Sequence, residues 1–126
     1  MPPRSRKAWK SKADKLWSQY VRKRDKTCQW CGMIHPKQMH SHHIVTRSVL
    51  ATRHDPENGI LLCPGCHFKA HSHMLRFVEW FRTSGAGNWR YELLLETAYK
   101  SKQKFVPDYE EICLRLQTQL NELKDN

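Results

Sequence analysis

The sequence predicts an α+β domain, mainly helical, small, and stapled by a metal, and three observations lead there. Two Cys-x-x-Cys pairs, Cys28-Gln-Trp-Cys31 and Cys63-Pro-Gly-Cys66, stand 31 residues apart. Between them lie two short β-prone runs, Met39 to Val45 and Ile60 to Leu62, separated by the turn signal Asp55-Pro-Glu-Asn-Gly59. Outside them, apolar residues recur at helical spacing on both flanks.

A chain of 126 residues is expected to form one domain, 1–126, with a modest core that benefits from a staple. Lys and Arg number 22 against 12 Asp and Glu, a net charge of +10, which favours a polyanionic partner such as nucleic acid. Mean hydropathy is −0.79 and no apolar run approaches a membrane span, so no membrane role is expected. The basic N-terminus has no apolar segment behind it and does not read as a secretory signal. The expected location is therefore the cytoplasm, where thiols stay reduced and paired cysteines hold metal.

In chain order, residues 1 to 8 read as a disordered basic arm. A basic helix follows at about 9–25, with Trp9, Ala13, Leu16, Trp17, Tyr20 and Val21 on its apolar face. The core is expected at about 27–82. Within it, a helix starts near Cys66 or His67 and continues through Met74, Phe77, Val78 and Phe81, with a break near Ser72. Ser84 to Gly87 forms a loop, and C-terminal helices occupy about 88–124. The first of these runs from about Trp89 to Lys102; the second starts with Pro107 in its first turn. Tyr109, Ile112, Cys113, Leu116, Leu120 and Leu123 make an apolar stripe on that last helix, read as core, with a dimer seam as the alternative. The fifth cysteine, Cys113, lies on the stripe and reads as a small buried apolar residue.

Cys28, Cys31, Cys63 and Cys66 match a closed tetrahedral zinc site, structural because no position is left open. The intervening run exceeds the roughly 15–20 residues of a plain zinc ribbon, and the excess holds histidines. A structural zinc contributes roughly 10–16 kcal/mol of apparent binding energy, enough to decide whether a small domain folds.

His67 and His71 are spaced i, i+4, so on a helix both rings reach one ion. A third ligand is expected from His42 or His43. Strand neighbours point to opposite faces, so one of these two binds metal and the other stays free as a proton acceptor. Three protein ligands leave positions for water and a phosphate oxygen, as metal-assisted phosphodiester hydrolysis needs. Arg47, Arg53 and Lys69, near the site in sequence, are candidate phosphate clamps. His35, His40, His54 and His73 read as ordinary surface or core histidines.

His43, Asn58 15 residues later and His67 a further 9 on resemble the HNH (ββα-metal) nucleases, and their spacing is similar to that of colicin-type nuclease domains. The cysteine-bracketed form resembles the zinc-containing HNH proteins of phages and restriction systems. Lys12 to Arg22 and Leu50 to Asn58 are similar to phage NinG-like recombination proteins; the resemblance covers roughly Lys12 to Phe81. It implies a DNA endonuclease with a ββα-metal core. His43 would be the general base, Asn58 would orient it or complete the site, and His42, His67 and His71 would hold the catalytic metal. The products would carry 5′-phosphate and 3′-hydroxyl ends. For a phage-encoded protein the location would be the host cytoplasm. Many relatives carry aspartate where this chain has His42; an all-imidazole site favours zinc, nickel, cobalt or manganese over magnesium. Three other readings stay open: a structure-specific nuclease acting on branched DNA, a non-catalytic zinc module that docks on DNA, and an adaptor for phage packaging or recombination proteins. The oligomeric state is open too.

Overall fold

A computed structural model describes residues 3–35, 38–100 and 105–123. Its centre is a two-stranded antiparallel hairpin, β1 (His40–His43) and β2 (Gly59–Leu62), in which His42 faces Ile60 and His43 faces Gly59. So small a sheet cannot bury itself, and a helix covers each side. Directly paired residues share a face and successive ones alternate. Ser41, His43 and Gly59 therefore face the long helix α1 (Arg6–Asp25), while His40 and His42 face α3 (Pro64–Ser72).

Two contacts seat α1 on its face of the hairpin. The hydroxyl of Ser18 donates to Ser41 Oγ at 3.1 Å, and Ser41 in turn donates to the Ser18 carbonyl at 3.0 Å. Gly59 makes the closest approach: a Cβ there would run into Val21 and Trp17 of α1. At the open edge of β2, Asp25 Oδ2 accepts from the Leu61 N–H at 3.0 Å, and Arg24 and Arg90 both donate to the Gly59 carbonyl. Backbone groups that another strand would pair are thus met by side chains.

α1 begins three residues before the expected start because Ser5 caps it, its Oγ accepting from the Ala8 N–H at 3.1 Å. The basic arm expected over residues 1–8 is therefore helical from Arg6; residues 1–2 lie outside the described residues. After β1 come the one-turn helix α2 (Leu50–Arg53) and a 3₁₀ turn over Pro56–Asn58, on the expected turn signal. The break expected near Ser72 falls at His73, between α3 and α4 (Met74–Thr83). α5 (Gly87–Tyr99) and α6 (Tyr109–Glu122) complete the fold. The expected extension of α5 to Lys102 and the end of the last helix at 124 reach outside the described residues. Pro107 is not in the first turn of α6: Asp108 is the cap, accepting from the Glu111 N–H at 3.2 Å, and Pro107 precedes it.

Ala13, Leu16, Trp17 and Val21 of α1, the β2 residues, Phe77 and Phe81 of α4, and Tyr109, Ile112, Cys113 and Leu116 of α6 form the core. The α6 stripe is thereby core through Leu116, and Cys113 is buried among apolar side chains. The arrangement is the mainly helical α+β fold expected. No helix among the described residues is long and apolar enough to cross a membrane.

Gly59→Ala is expected to destabilise the fold by about 1–3 kcal/mol, the usual cost of overpacking, because backbone and a rigid indole must part. Urea unfolding followed by circular dichroism measures it; an unchanged midpoint would contradict the close approach.

Candidate functional site

The sequence places the first cysteine pair just after α1 and the second at the start of α3. Cys63 caps α3, its Sγ accepting from the Cys66 N–H at 3.4 Å, and Pro64 occupies the first turn, where its missing N–H costs nothing. The Cys28 N–H bonds the Met33 carbonyl and the Gly32 N–H the Cys28 carbonyl, which closes the first knuckle. Trp30 of that knuckle stacks on Trp80 of α4 with ring centroids 5.3 Å apart.

All four sulfurs lie within 4.8 Å of one another, and none is in a disulfide. Four sulfurs at 2.3 Å from a tetrahedral zinc stand about 3.8 Å apart. Cys31 Sγ and Cys63 Sγ are 3.7 Å apart, so the cluster fits zinc. Burial works against ionisation of Cys28, but backbone N–H groups of Cys31, Cys63 and Trp30 outweigh it and bring the thiol down to about 7. Burial and the neighbouring sulfurs push Cys66 upward, a conflict that a shared cation resolves.

The second cluster joins β1 to α3. His42, His67 and His71 place one ring nitrogen each within 4.8 Å of the others. His67 Nε2 and His71 Nε2 are 3.1 Å apart. Two imidazole nitrogens sharing an ion at 2.0–2.1 Å stand roughly 3.3–3.4 Å apart in a tetrahedron and roughly 2.8–3.0 Å at a right angle; the observed spacing lies between, so this cluster fits a cation as well. His42 is buried against Phe77, and burial, aided by the nearby imidazoles, holds it down to about 3. Burial and the neighbouring His40 and His71 bring His67 down to about 4. Both imidazoles are therefore neutral at pH 7, with lone pairs available.

His43 points the other way. Its ring lies flat on the Trp17 indole, centroids 3.9 Å apart and planes within 8°, and its Nε2 meets the Arg53 carbonyl at 3.0 Å. A carbonyl only accepts, so Nε2 carries the proton and Nδ1 the lone pair. Burial brings this imidazole down to about 4, against the upward pull of the Arg53 carbonyl. Both kinds of histidine line one open cleft of about 430 Å³, with Ser41, Thr46, Arg47 and Met74 on its walls.

Asn58 is fully buried and spends its side-chain amide on backbone groups. Its Oδ1 accepts from the Val45 N–H at 2.7 Å, and its Nδ2 donates to the Val45 and Thr52 carbonyls, each at 3.0 Å. It ties the strand end to α2, one residue from the carbonyl that meets His43.

The three basic candidates separate. Arg47 is exposed and lines the cleft. Lys69 is exposed on α3 but is not among the residues lining the cleft. Arg53, expected as a phosphate clamp, is buried and bound to Asp14 through Nε at 3.0 Å and Nη2 at 2.9 Å. Its charge is committed inside the protein. Of the histidines read as ordinary, His54 is buried and donates from Nε2 to Asp14 at 2.7 Å, and the exposed His40 stacks on His67 at 4.7 Å. Trp17 and Asp14 are parts of the site that only the fold brings in.

Residues 28–73 match the family model described as HNH endonuclease. The match spans both clusters, and the four-cysteine site within it is suited to zinc. No curated protein and no solved structure matches the chain.

Cys63→Ser is expected to lose both zinc and fold, since it removes a ligand and weakens the cap of α3. Zinc content and helical circular dichroism check this. A folded, zinc-free variant would show that the sulfurs do not hold the domain together.

Proposed function

We propose that the protein is a divalent-metal-dependent endonuclease that hydrolyses phosphodiester bonds in DNA, with His43 as the general base. The observation that carries this reading is the divergence of two histidines adjacent in sequence: His42 joins His67 and His71, while His43 stands on Trp17 with Nε2 bonded to a carbonyl.

His42, His67 and His71 would hold the metal, and three protein ligands leave coordination positions for solvent or substrate. The bound cation supplies Lewis-acid charge against the phosphoryl oxygens and the leaving 3′-oxygen. An all-imidazole set suits zinc, nickel, cobalt or manganese better than magnesium.

The remaining roles belong to the chain. His43, half-buried under Trp17, is held neutral at pH 7, so Nδ1 is free to accept a proton from the attacking water. The Arg53 carbonyl fixes which nitrogen is the acceptor and steadies the imidazolium once the proton arrives. Arg47, exposed on the cleft wall, meets a phosphate of the bound strand. Lys69 adds to the positive field of a chain with net charge +10, which draws a polyanion toward the cleft. Asn58 acts at one remove, by fixing the backbone around Thr52.

Plasmid nicking across a panel of divalent metals is the test. Wild type is expected to nick with at least one of them, and His43→Ala to lose about 10²–10⁴-fold, the usual contribution of a positioned base, while keeping its zinc and helical content. Wild-type nicking by the alanine variant would remove His43 from the chemistry.

A further inference from the structure

We propose that helix α1, which lies outside the matched segment, is a working part of the site: Asp14 and Trp17 are positioning residues that together fix the orientation of the His43 imidazole. The inference rests on His43 being the base and adds residues that neither the HNH match nor the metal clusters include.

Asp14 and Trp17 are i, i+3 on α1, so both present to the same side of the helix. Trp17 acts on the face of the ring. Its indole covers His43 at 3.9 Å and is itself held by donation from Nε1 to the Asp55 carbonyl at 2.9 Å. Gly59, paired with His43 across the sheet, leaves the space the indole needs. Ring rotation would sacrifice the stack.

Asp14 acts on the edge of the ring, through Arg53. The acceptor for His43 Nε2 is the carbonyl at the last residue of α2. That helix is a single turn with no side-chain cap at its N-terminus, too short to fix its own last carbonyl. Asp14 supplies what the turn lacks. Its Oδ1 accepts from Arg53 Nε at 3.0 Å and His54 Nε2 at 2.7 Å, and its Oδ2 accepts from Arg53 Nη2 at 2.9 Å. The pair is bidentate, and the Arg53 side chain is only 9% exposed, so it belongs with specific charge-assisted bonds and not with loose surface ion pairs. Burial alone would favour the neutral carboxyl. The hydrogen bonds and charges of His54 and Arg53 overcome it and hold Asp14 ionised well below the usual range. Asn58 grips the preceding carbonyl, Thr52, from the other side. The carbonyl that selects the His43 tautomer is thus clamped between Asn58 and α1. A misplacement of about 1 Å at a reacting group costs about 10²-fold in rate, which sets the scale of the effect.

The test combines nicking kinetics with nitrogen-15 spectra of the His43 ring in the zinc-loaded protein. Asp14→Asn keeps the shape and removes the charge. It is expected to lower kcat about ten- to hundredfold with KM within twofold, to keep its zinc, and to turn a single Nε2–H tautomer into a mixture. Asp14→Glu is expected to restore at least a third of the lost kcat. Should Asp14→Asn not fold, Arg53→Lys poses the same question, because it keeps the charge and loses the fork, and the same kcat loss is expected. Wild-type kcat with a single tautomer in either folded variant overturns the proposal. So does a fall in kcat no larger than the loss of folded protein. Failure of the endonuclease reading looks different: wild type then fails to nick with every metal of the panel, while the ring spectra of the variants still decide whether α1 orients His43.

Discussion

Four sulfurs brought to one point close the loop that carries His42 and His43 and root the helix that carries His67 and His71, and the rest of the structure depends on that closure. The hairpin has four residues per strand, far too few to stand alone. Cys28 and Cys31 follow α1; Cys63 and Cys66 end β2 and open α3. Joining them fixes the two helices that cover the hairpin relative to each other. The metal site is in effect the crosslink that a small core lacks. Once α1 and α3 are set on opposite faces of β1, strand alternation does the sorting: His42 goes to one helix and His43 to the other.

That sorting separates two chemical environments on the two faces of one strand. On the α3 side, three imidazoles converge, and burial keeps His42 and His67 unprotonated, the form a cation binds. On the α1 side, a single imidazole is stacked and bonded at one nitrogen, which suits a group that accepts a proton and must not drift onto the metal. The same short strand supplies a ligand and a candidate base because adjacent residues on a strand cannot share a face.

The metal-binding part of this was legible because its signal is local. Two Cys-x-x-Cys pairs and a His-x-x-x-His on a helix are statements about spacing, and spacing survives folding unchanged. The longer helices and both strands were legible for the same reason, including a break expected near Ser72 and found at His73. What could not be read is what crosses the chain. Trp17 looked like one more apolar residue on an amphipathic helix, and nothing near it marks a stacking partner 26 residues away. Asp14 sits between Lys12 and Lys15 and carries no local signal that it is the counter-ion of a buried arginine. Arg53 was misread by proximity: closeness to the site in sequence said nothing about which way a one-turn helix would aim it. Asn58 was expected to orient His43 or complete the site; its amide bonds backbone at Val45 and Thr52, partners that side-chain spacing does not reveal. The boundary errors at Ser5 and Pro107 are cap effects, settled by single hydroxyl or carboxylate bonds.

The central claim is two metal sites of different kind, one closed by sulfur and one open and all-nitrogen. Titration of the metal-free, refolded chain with cobalt(II), followed by absorption, tests it directly. The thiolate-to-metal band is expected to saturate at one equivalent. A second equivalent is then expected to bind without adding to that band, and to be lost in a His42→Ala, His71→Ala double variant that keeps the first. A single equivalent in total, or a sulfur signal that keeps growing through the second, would contradict the account.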